Sequence, residues 1–330
     1  MPRNASLDYA RLIAALGIVL FHAGAPGASI GYAALPFFLM VLIVLALPVA
    51  GRMDFASFAR GRADRLLGPF VRWSLVYGGL KLAEVVISGR PLAAEFEPWM
   101  LLAGPAIHLW FLPFAFAASL AVYPLARLSL QDMTPQTRNR RRLVGLAVLT
   151  GLALLAQSLQ DDRLWSTPFA QWGFALPAVF LGLGFGLAFP QSSPQAHAQV
   201  MLQGQLSGSL SGTVMMPATL GAAVGGLVLV AWAAGWMDGL LQLGVAAVAL
   251  LVCLTVLLRQ TALSQAAARI ALGVYLCHPL IGSMLLRLIN MDQHSLGFAG
   301  LTGLGSVLLA WGLDHLQRRI RSGRGLRPAS

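Results

Sequence analysis

Long runs of apolar residues, separated by short polar stretches, dominate the chain. Runs such as MVLIVLALPVA and LGVAAVALLVCLTVLL do not alternate apolar and polar positions, as the strands of a membrane barrel do. A helix needs about 20 apolar residues to cross a bilayer. The pattern therefore predicts an all-α fold, a polytopic transmembrane bundle of about ten helices. The predicted spans are residues 8–24, 33–51, 68–88, 100–126, 143–158, 172–189, 215–235, 239–258, 268–289 and 295–316.

The composition supports a membrane protein. Of the 330 residues, 57% are hydrophobic and 11% are charged, whereas about 25% are charged in an average soluble domain. The net charge of +11 would suggest nucleic acid as a partner in a soluble protein. Here the arginines cluster between apolar runs, so the expected partner is the lipid bilayer. Cys253 and Cys277 lie far apart inside apolar runs, and we expect neither a disulfide framework nor a metal site.

Arginine is concentrated in alternate connections between the predicted spans. The opposite connections hold little beyond Arg90 and Arg163. Because cytoplasmic loops carry an excess of basic residues, both termini are predicted to be cytoplasmic. We expect one domain over residues 1–330, located in the inner (plasma) membrane, with a basic cytoplasmic tail at about 317–330. The basic residues assigned to the cytoplasmic loops are Arg52, Arg60, Arg62, Arg65, Arg138, Arg140 to Arg142 and Arg259.

The linker from Pro190 to Thr213 leaves one alternative open. It has no Lys or Arg although it is assigned to the cytoplasm, so it forms either a loop or surface segment, or an eleventh crossing. An extra crossing would place Arg259 and the basic tail outside, against the charge bias. We therefore favour the loop.

Three polar residues, Asp8, Arg11 and His22, interrupt the otherwise apolar first span. At 3.6 residues per turn, Arg11 and His22 lie within about 20° of the same helix face and about 16 Å apart along the axis. A charged side chain near the bilayer centre costs about 2.5–3.5 kcal/mol, so this stripe is expected to face the bundle interior or a cavity. Alternatively, Asp8 and Arg11 pair at the headgroups, and His22 is a neutral imidazole bonded to a neighbouring helix.

These residues resemble the first helix of the membrane O-acyltransferases of acyltransferase family 3. In that helix Leu-Asp is followed by Arg and by an apolar run that ends in His, which the chain matches at Leu7, Asp8, Arg11, Ala14 and His22. Three later stretches resemble the same family in the same order: FARGRADRLLGPF (58–70), HLWFLPFAFAASLAVYP (108–124) and LGVYLCHPL (272–280).

The second span departs from the family pattern. Pro36, Phe37 and Phe38 are followed by LMVLIVLALP, without the Ser-Gly that usually comes next. The departure suggests a divergent subgroup, nearer the branch that acylates exopolysaccharides, and it leaves the substrate open.

The resemblance implies an enzyme that moves an acyl group, acetyl in the simplest case, from cytoplasmic acyl-CoA to a hydroxyl of a glycan or lipid-linked sugar. It implies no metal and no bound cofactor. A hydroxyl becomes a good nucleophile when a base removes its proton, and histidine is suited to that task near neutral pH. His22 is therefore the candidate base, and Asp8 and Arg11 complete the candidate catalytic stripe.

Arg62 and Arg65 form an Arg-x-x-Arg pair at the predicted cytoplasmic end of the third span. A guanidinium is always charged and binds phosphate through two hydrogen bonds, so this pair, with Arg11, is a candidate site for the anionic CoA moiety. The alternative is that the pair only fixes the orientation of the chain.

Two further pairs are candidates for substrate binding. His108 and Trp110 lie on the predicted outer side, where tryptophan is also a common interfacial anchor. Tyr275 and His278 lie one turn apart, and Pro279 lacks an amide proton, which frees a carbonyl one turn back and alters the local shape of the helix.

A function of another class also fits intramembrane Arg and His residues. Such residues mark the pathways of proton-coupled transporters, so a secondary transporter or a lipid-linked sugar flippase is the alternative. The two classes are distinguished by their action on acyl-CoA. An acyltransferase releases free CoA from it, whereas a transporter does not.

Overall fold

The computed structural model describes residues 4–127, 135–159, 166–188, 237–256, 258–289 and 291–323. All regular elements in these ranges are helical, which confirms the predicted all-α class. The helices are α1 (Ala5–His22), α2 (Ala28–Gly31), α3 (Ala34–Ala50), α4 (Phe55–Ser88), α5 (Leu92–Glu95), α6 (Met100–Ala103), α7 (Phe111–Arg127), α8 (Pro135–Ser158), α9 (Phe169–Ala188), α10 (Met237–Thr255), α11 (Ala262–Ile289) and α12 (Leu296–Gly323), with a 3₁₀ turn at Ile107–Trp110.

Six helical segments of the described residues are long and apolar enough to cross a bilayer. This confirms a multi-pass membrane protein, whereas the count of ten and the cytoplasmic termini stay predictions. The predicted span 215–235 and the linker 190–213 lie outside the described residues. The six segments are Ala5–His22, Ala28–Ala50, Ile107–Arg127, Phe169–Ala188, Ala262–Ile289 and Leu296–Ile320, and the shorter apolar helices are Val144–Gln157 and Gly239–Thr255.

The basic stretch before the third predicted span is helical, and our assignment of it to a loop was wrong. Arg60, Arg62 and Arg65 lie in the first turns of α4. The Asp54 side chain caps this helix by accepting a hydrogen bond from the Ser57 amide at 2.9 Å. Because arginine is a good helix former and the end is capped, the helix begins well before the apolar run.

Two other basic segments also belong to helices. Arg138 and Arg140 to Arg142 lie in α8 rather than in a loop, and α12 continues to Gly323 through the first part of the predicted tail. In both places the helix extends beyond the apolar residues that defined the predicted span.

The fourth predicted span, 100–126, is interrupted rather than continuous. Its first residues form the short α6, which ends at Gly104 with a φ of +79°. Only glycine adopts that conformation readily, and the following Pro105 cannot donate an amide hydrogen bond to a helix. A regular α-helix resumes at Phe111.

The described residues form two compact units. The first contains those up to Phe38 and those from Met237 onward, and the second contains those between Leu39 and Ala188. Both units are helical, and the single domain stays a prediction. In the second unit α8 packs on α9, and α4 packs on α7.

In the first unit, α1 and α11 run side by side in the same direction. The Tyr9 hydroxyl, near the start of α1, lies 2.8 Å from that of Thr261, just before α11 begins. Between the two helices Ala15 and Val19 form a core with Ile270 and Val274. Small residues on α1 allow the helices to approach closely, so polar groups at matching heights of the two helices become neighbours.

A close approach of α1 to α2 requires glycine at position 31. A Cβ added to Gly31 would lie 2.5 Å from the carbonyl oxygen of Gly17. We expect Gly31→Ala to destabilise the protein by about 1–3 kcal/mol, because backbone would have to move. Thermal unfolding in one detergent measures this effect.

Gly312→Ala on α12 is the matched control. A Cβ there would have no neighbour within 4 Å, and alanine gains up to about 1 kcal/mol over glycine inside a helix. A Gly31→Ala variant that melts at or above the wild-type temperature would contradict the packing account.

Candidate functional site

The three polar residues of the first span lie on one uninterrupted helix. α1 begins after Asn4, whose side chain caps it by accepting a hydrogen bond from the Ser6 amide at 2.9 Å, and ends at His22. With a rise of 1.5 Å per residue, Arg11 and His22 are separated by about 16 Å along the axis. The helical spacing on which the stripe was predicted is therefore confirmed, whereas its catalytic role stays a prediction.

At the first end of the stripe, the Asp8 carboxylate is only 2% exposed. It accepts a hydrogen bond from Gln260 Nε2 at 3.2 Å. The Arg11 guanidinium is within 3.8 Å of the same carboxylate, and the Arg11 side chain is 27% exposed. Asp8 thus pairs with Arg11 while the Arg11 side chain stays partly exposed. Through Gln260 it also connects α1 to the segment before α11.

At the other end of the stripe, two imidazoles meet. The ring of His22 lies with its centroid 5.1 Å from that of His278, and the two planes are inclined by 31°. His22 is exposed, whereas His278 is 2% exposed. Phe21 packs edge-on against His22, with centroids 5.1 Å apart. The sequence indicated both histidines, but it gave no sign that they are neighbours.

The environment of His278 is built by its own helix. Its Nδ1 lies 2.6 Å from the carbonyl oxygen of Tyr275, one turn earlier. The Tyr275 ring lies 6.1 Å from the His278 ring and 6.5 Å from Phe38. The predicted pair of Tyr275 and His278 is therefore in contact and lies at the His22 end of α1.

In the second unit, Arg62 is a buried charge. It is 8% exposed, and its guanidinium lies 5.1 Å from the centre of the Phe58 ring. No described carboxylate pairs with it. Burial and, to a smaller extent, the charge of Arg65 lower the pKa of Arg62. An arginine remains charged at neutral pH despite such a shift, so this position favours an anion.

A second arginine completes a mixed aromatic and cationic cluster. The centre of the Tyr123 ring lies 5.7 Å from that of Phe58. The Arg127 guanidinium lies over the Tyr123 ring, 5.1 Å from its centre. Arg127 also donates hydrogen bonds to the Tyr123 hydroxyl at 2.7 Å and to the carbonyl of Met53. Tyr123 and Arg127 were not among the site residues predicted from the sequence. The spacing of Tyr123 and Arg127, one turn apart at the end of α7, was the available signal.

His108 and Trp110 lie in the 3₁₀ turn before α7 and are both buried. The Tyr77 ring meets His108 edge-on at 5.1 Å, and Trp73 lies 5.7 Å from Tyr77. The two predicted residues thus have different surroundings. His108 adjoins an aromatic pair on α4, whereas Trp110 packs against Phe114 on α7.

The first unit also has an open apolar cavity of about 990 Å³. It is lined by residues of α1, α2, α3, α10 and α12, among them Ile13, Gly17 and Leu304. None of Arg11, His22 and His278 lines it. The polar residues of α1 therefore lie outside the large cavity. Among the residues that the structure describes, no cluster of His, Cys, Asp or Glu is placed to hold a metal ion.

Comparison with protein families gives one informative match. A family model of acyltransferase family 3, described as an acyltransferase domain, matches residues 4–315. The match therefore covers nearly the whole chain and includes α1, α4 and α11. Searches of curated proteins and of solved structures gave no match.

Proposed function

The chain belongs to acyltransferase family 3, and on that premise we propose that it is an inner-membrane O-acyltransferase with acyl-CoA as donor. The acceptor is a hydroxyl of an envelope or exported glycan or of a lipid-linked sugar, and acetyl is the simplest acyl group. The proposal rests on the arrangement of polar residues along α1. The exposed imidazole of His22 lies at one end of the helix, and Arg11 is paired with the buried carboxylate of Asp8 at the other.

His22 supplies the base in this proposal. Its imidazole takes the proton of the acceptor hydroxyl as the oxygen attacks the carbonyl carbon of the thioester. The carbon–sulfur bond then breaks, the CoA thiolate leaves, and the proton held by His22 neutralises it. The products are an O-acyl ester and free CoA, so no oxidant, reductant or further reactant is required. The exposure of His22 suits a residue that must meet an external hydroxyl.

Arg62 and Arg65 are the proposed contacts for the phosphates of CoA, with Arg11 on its own helix as a further cation. A buried guanidinium without a described carboxylate partner lowers the stability of the fold unless an anion pairs with it. Phosphate oxygens satisfy the guanidinium through two parallel hydrogen bonds. The guanidinium of Arg62 lies over the Phe58 ring, and this contact restricts the side-chain conformations that would otherwise be lost on binding.

His108 with Tyr77 and Trp73, and Tyr275 with His278, are the proposed contacts for the acceptor. Ligand sites combine aromatic walls with a few polar groups that fix orientation, and both groups of residues have this composition. Trp110 supports the first group through its packing on α7.

Deletion of the gene in the organism that carries it tests the proposal. Ester-linked acyl groups, released by mild alkali from the envelope and exported glycans, are expected to disappear and to return with the wild-type gene. Unchanged acylation together with a loss of glycan export would contradict the proposal and favour the transporter or flippase.

A further inference from the structure

Pro279 leaves a backbone carbonyl of α11 without its usual partner. In an α-helix the amide of residue 279 donates to the carbonyl of residue 275, but proline has no amide proton. The Tyr275 carbonyl oxygen is instead within 2.6 Å of His278 Nδ1. The side chain next to the proline thus replaces the missing backbone donor.

This contact selects one tautomer of His278. A carbonyl oxygen only accepts hydrogen bonds, so Nδ1 must carry the proton. In the neutral ring Nε2 then has a lone pair and acts as an acceptor. The burial of His278 and the short distance to its own backbone hold the ring in this state. The pair of His278 and Pro279 therefore presents a fixed acceptor at the end of α1.

The residue next to this acceptor is His22, with ring centroids 5.1 Å apart. We propose that His278 is the positioning residue of His22, and that its Nε2 accepts a hydrogen bond from the imidazolium which His22 becomes when it takes the acceptor proton. This inference rests on the proposed function. It gives both ring nitrogens of His278 a partner, so that the polar contact of the pair Tyr275 and His278 with the acceptor falls to the Tyr275 hydroxyl.

The role matches the chemistry of a base with two nitrogens. When one nitrogen of His22 removes the hydroxyl proton, the other carries an N–H that needs an acceptor. An acceptor of fixed orientation stabilises the imidazolium and keeps the reacting nitrogen directed outward. No proton has to leave His22 for this, so the proton remains available for the departing thiolate.

Two amide substitutions separate this role from a structural one. His278→Asn retains an N–H donor near the Nδ1 position but removes the acceptor at Nε2. His278→Gln places a carboxamide oxygen near Nε2 and loses the short bond to Tyr275. We expect kcat to fall about tenfold in His278→Asn, with little change in the KM for acetyl-CoA, and to be partly retained in His278→Gln. If His278 served only to pair the Tyr275 carbonyl, the order of the two variants would be reversed, because asparagine keeps that donor and glutamine loses it.

The assay uses purified full-length protein, acetyl-CoA, and the glycan fraction of the deletion strain as acceptor, with free CoA as the readout. His315→Gln is the matched control, because that ring stacks on Trp311 of α12 and takes no part in the site. Pro279→Ala is an independent variant. The alanine amide can donate to the Tyr275 carbonyl, so that Nδ1 of His278 is no longer fixed as the protonated nitrogen. We expect this variant to lower kcat as well.

The failures of the two proposals are distinguishable. Wild-type protein that transfers no acyl group overturns the proposed function and this inference with it. Wild-type protein that is active, while His278→Asn and Pro279→Ala retain the wild-type kcat, overturns only the role of His278.

Discussion

Replacing His22 with alanine is expected to lower the kcat of acyl transfer by about 10²–10⁴-fold, the usual contribution of a general base. The amount of protein in the membrane is expected to stay the same. His22 is exposed at the end of α1, so removing its ring leaves no buried cavity. The measurement is free CoA released from acetyl-CoA with the glycan acceptor, with abundance determined by immunoblot of the membrane fraction.

His315→Ala is the control for this substitution, because it also removes an imidazole from the first unit but leaves α1 and α11 intact. It is expected to retain the wild-type rate. A His22→Ala variant that acylates the glycan at the wild-type rate would contradict the assignment of the base. Loss of activity together with loss of protein from the membrane would also contradict it, since His22 would then be structural.

The second large effect is expected at Arg62. Arg62→Met keeps an unbranched side chain against Phe58 but removes the charge. We expect the KM for acetyl-CoA to rise about 10- to 100-fold, the range for losing a hydrogen bond to a charged group. The KM for the glycan fraction is expected to stay the same. Thermal stability should be unchanged or higher, because a buried charge without a described carboxylate partner is removed.

The matched control is Arg60→Met, which removes an exposed arginine from the same turns of α4. The KM for acetyl-CoA should stay near the wild-type value in this variant. The KM of Arg62→Lys for acetyl-CoA should lie between those of the wild type and Arg62→Met, because an ammonium retains the charge but cannot form two parallel hydrogen bonds to a phosphate. If Arg62→Met and Arg60→Met show the same KM, Arg62 does not bind the donor.

The helical nature of α1 and the spacing of its polar residues were predictable from the sequence. Helix geometry is local, so the positions of Arg11 and His22 in the chain determine their separation along the axis. The contact of His22 with His278 was not predictable in the same way. It depends on the parallel packing of α1 on α11, through Ala15 and Ile270, between segments that are far apart in the chain.

The errors in the prediction have a common origin in hydropathy. A hydropathy pattern places the end of a helix where the charges begin, yet Arg60 and Arg62 continue α4. For the same reason, the pattern gave no sign that Arg62 is buried. The predicted spans also left out the cap at Asp54 and the break at Gly104-Pro105, because both depend on the chemistry of single residues and not on hydropathy.

The most direct test of the central claim follows an acyl group from donor to acceptor. Purified wild-type protein is incubated with acetyl-CoA labelled in the acetyl group and with glycan from the deletion strain, and label released from the glycan by mild alkali is counted. We predict ester-linked label on the glycan with the wild-type protein, an equal amount of free CoA, and both products formed about 10²–10⁴-fold more slowly with His22→Ala. A wild-type protein that leaves the label on CoA would contradict the account.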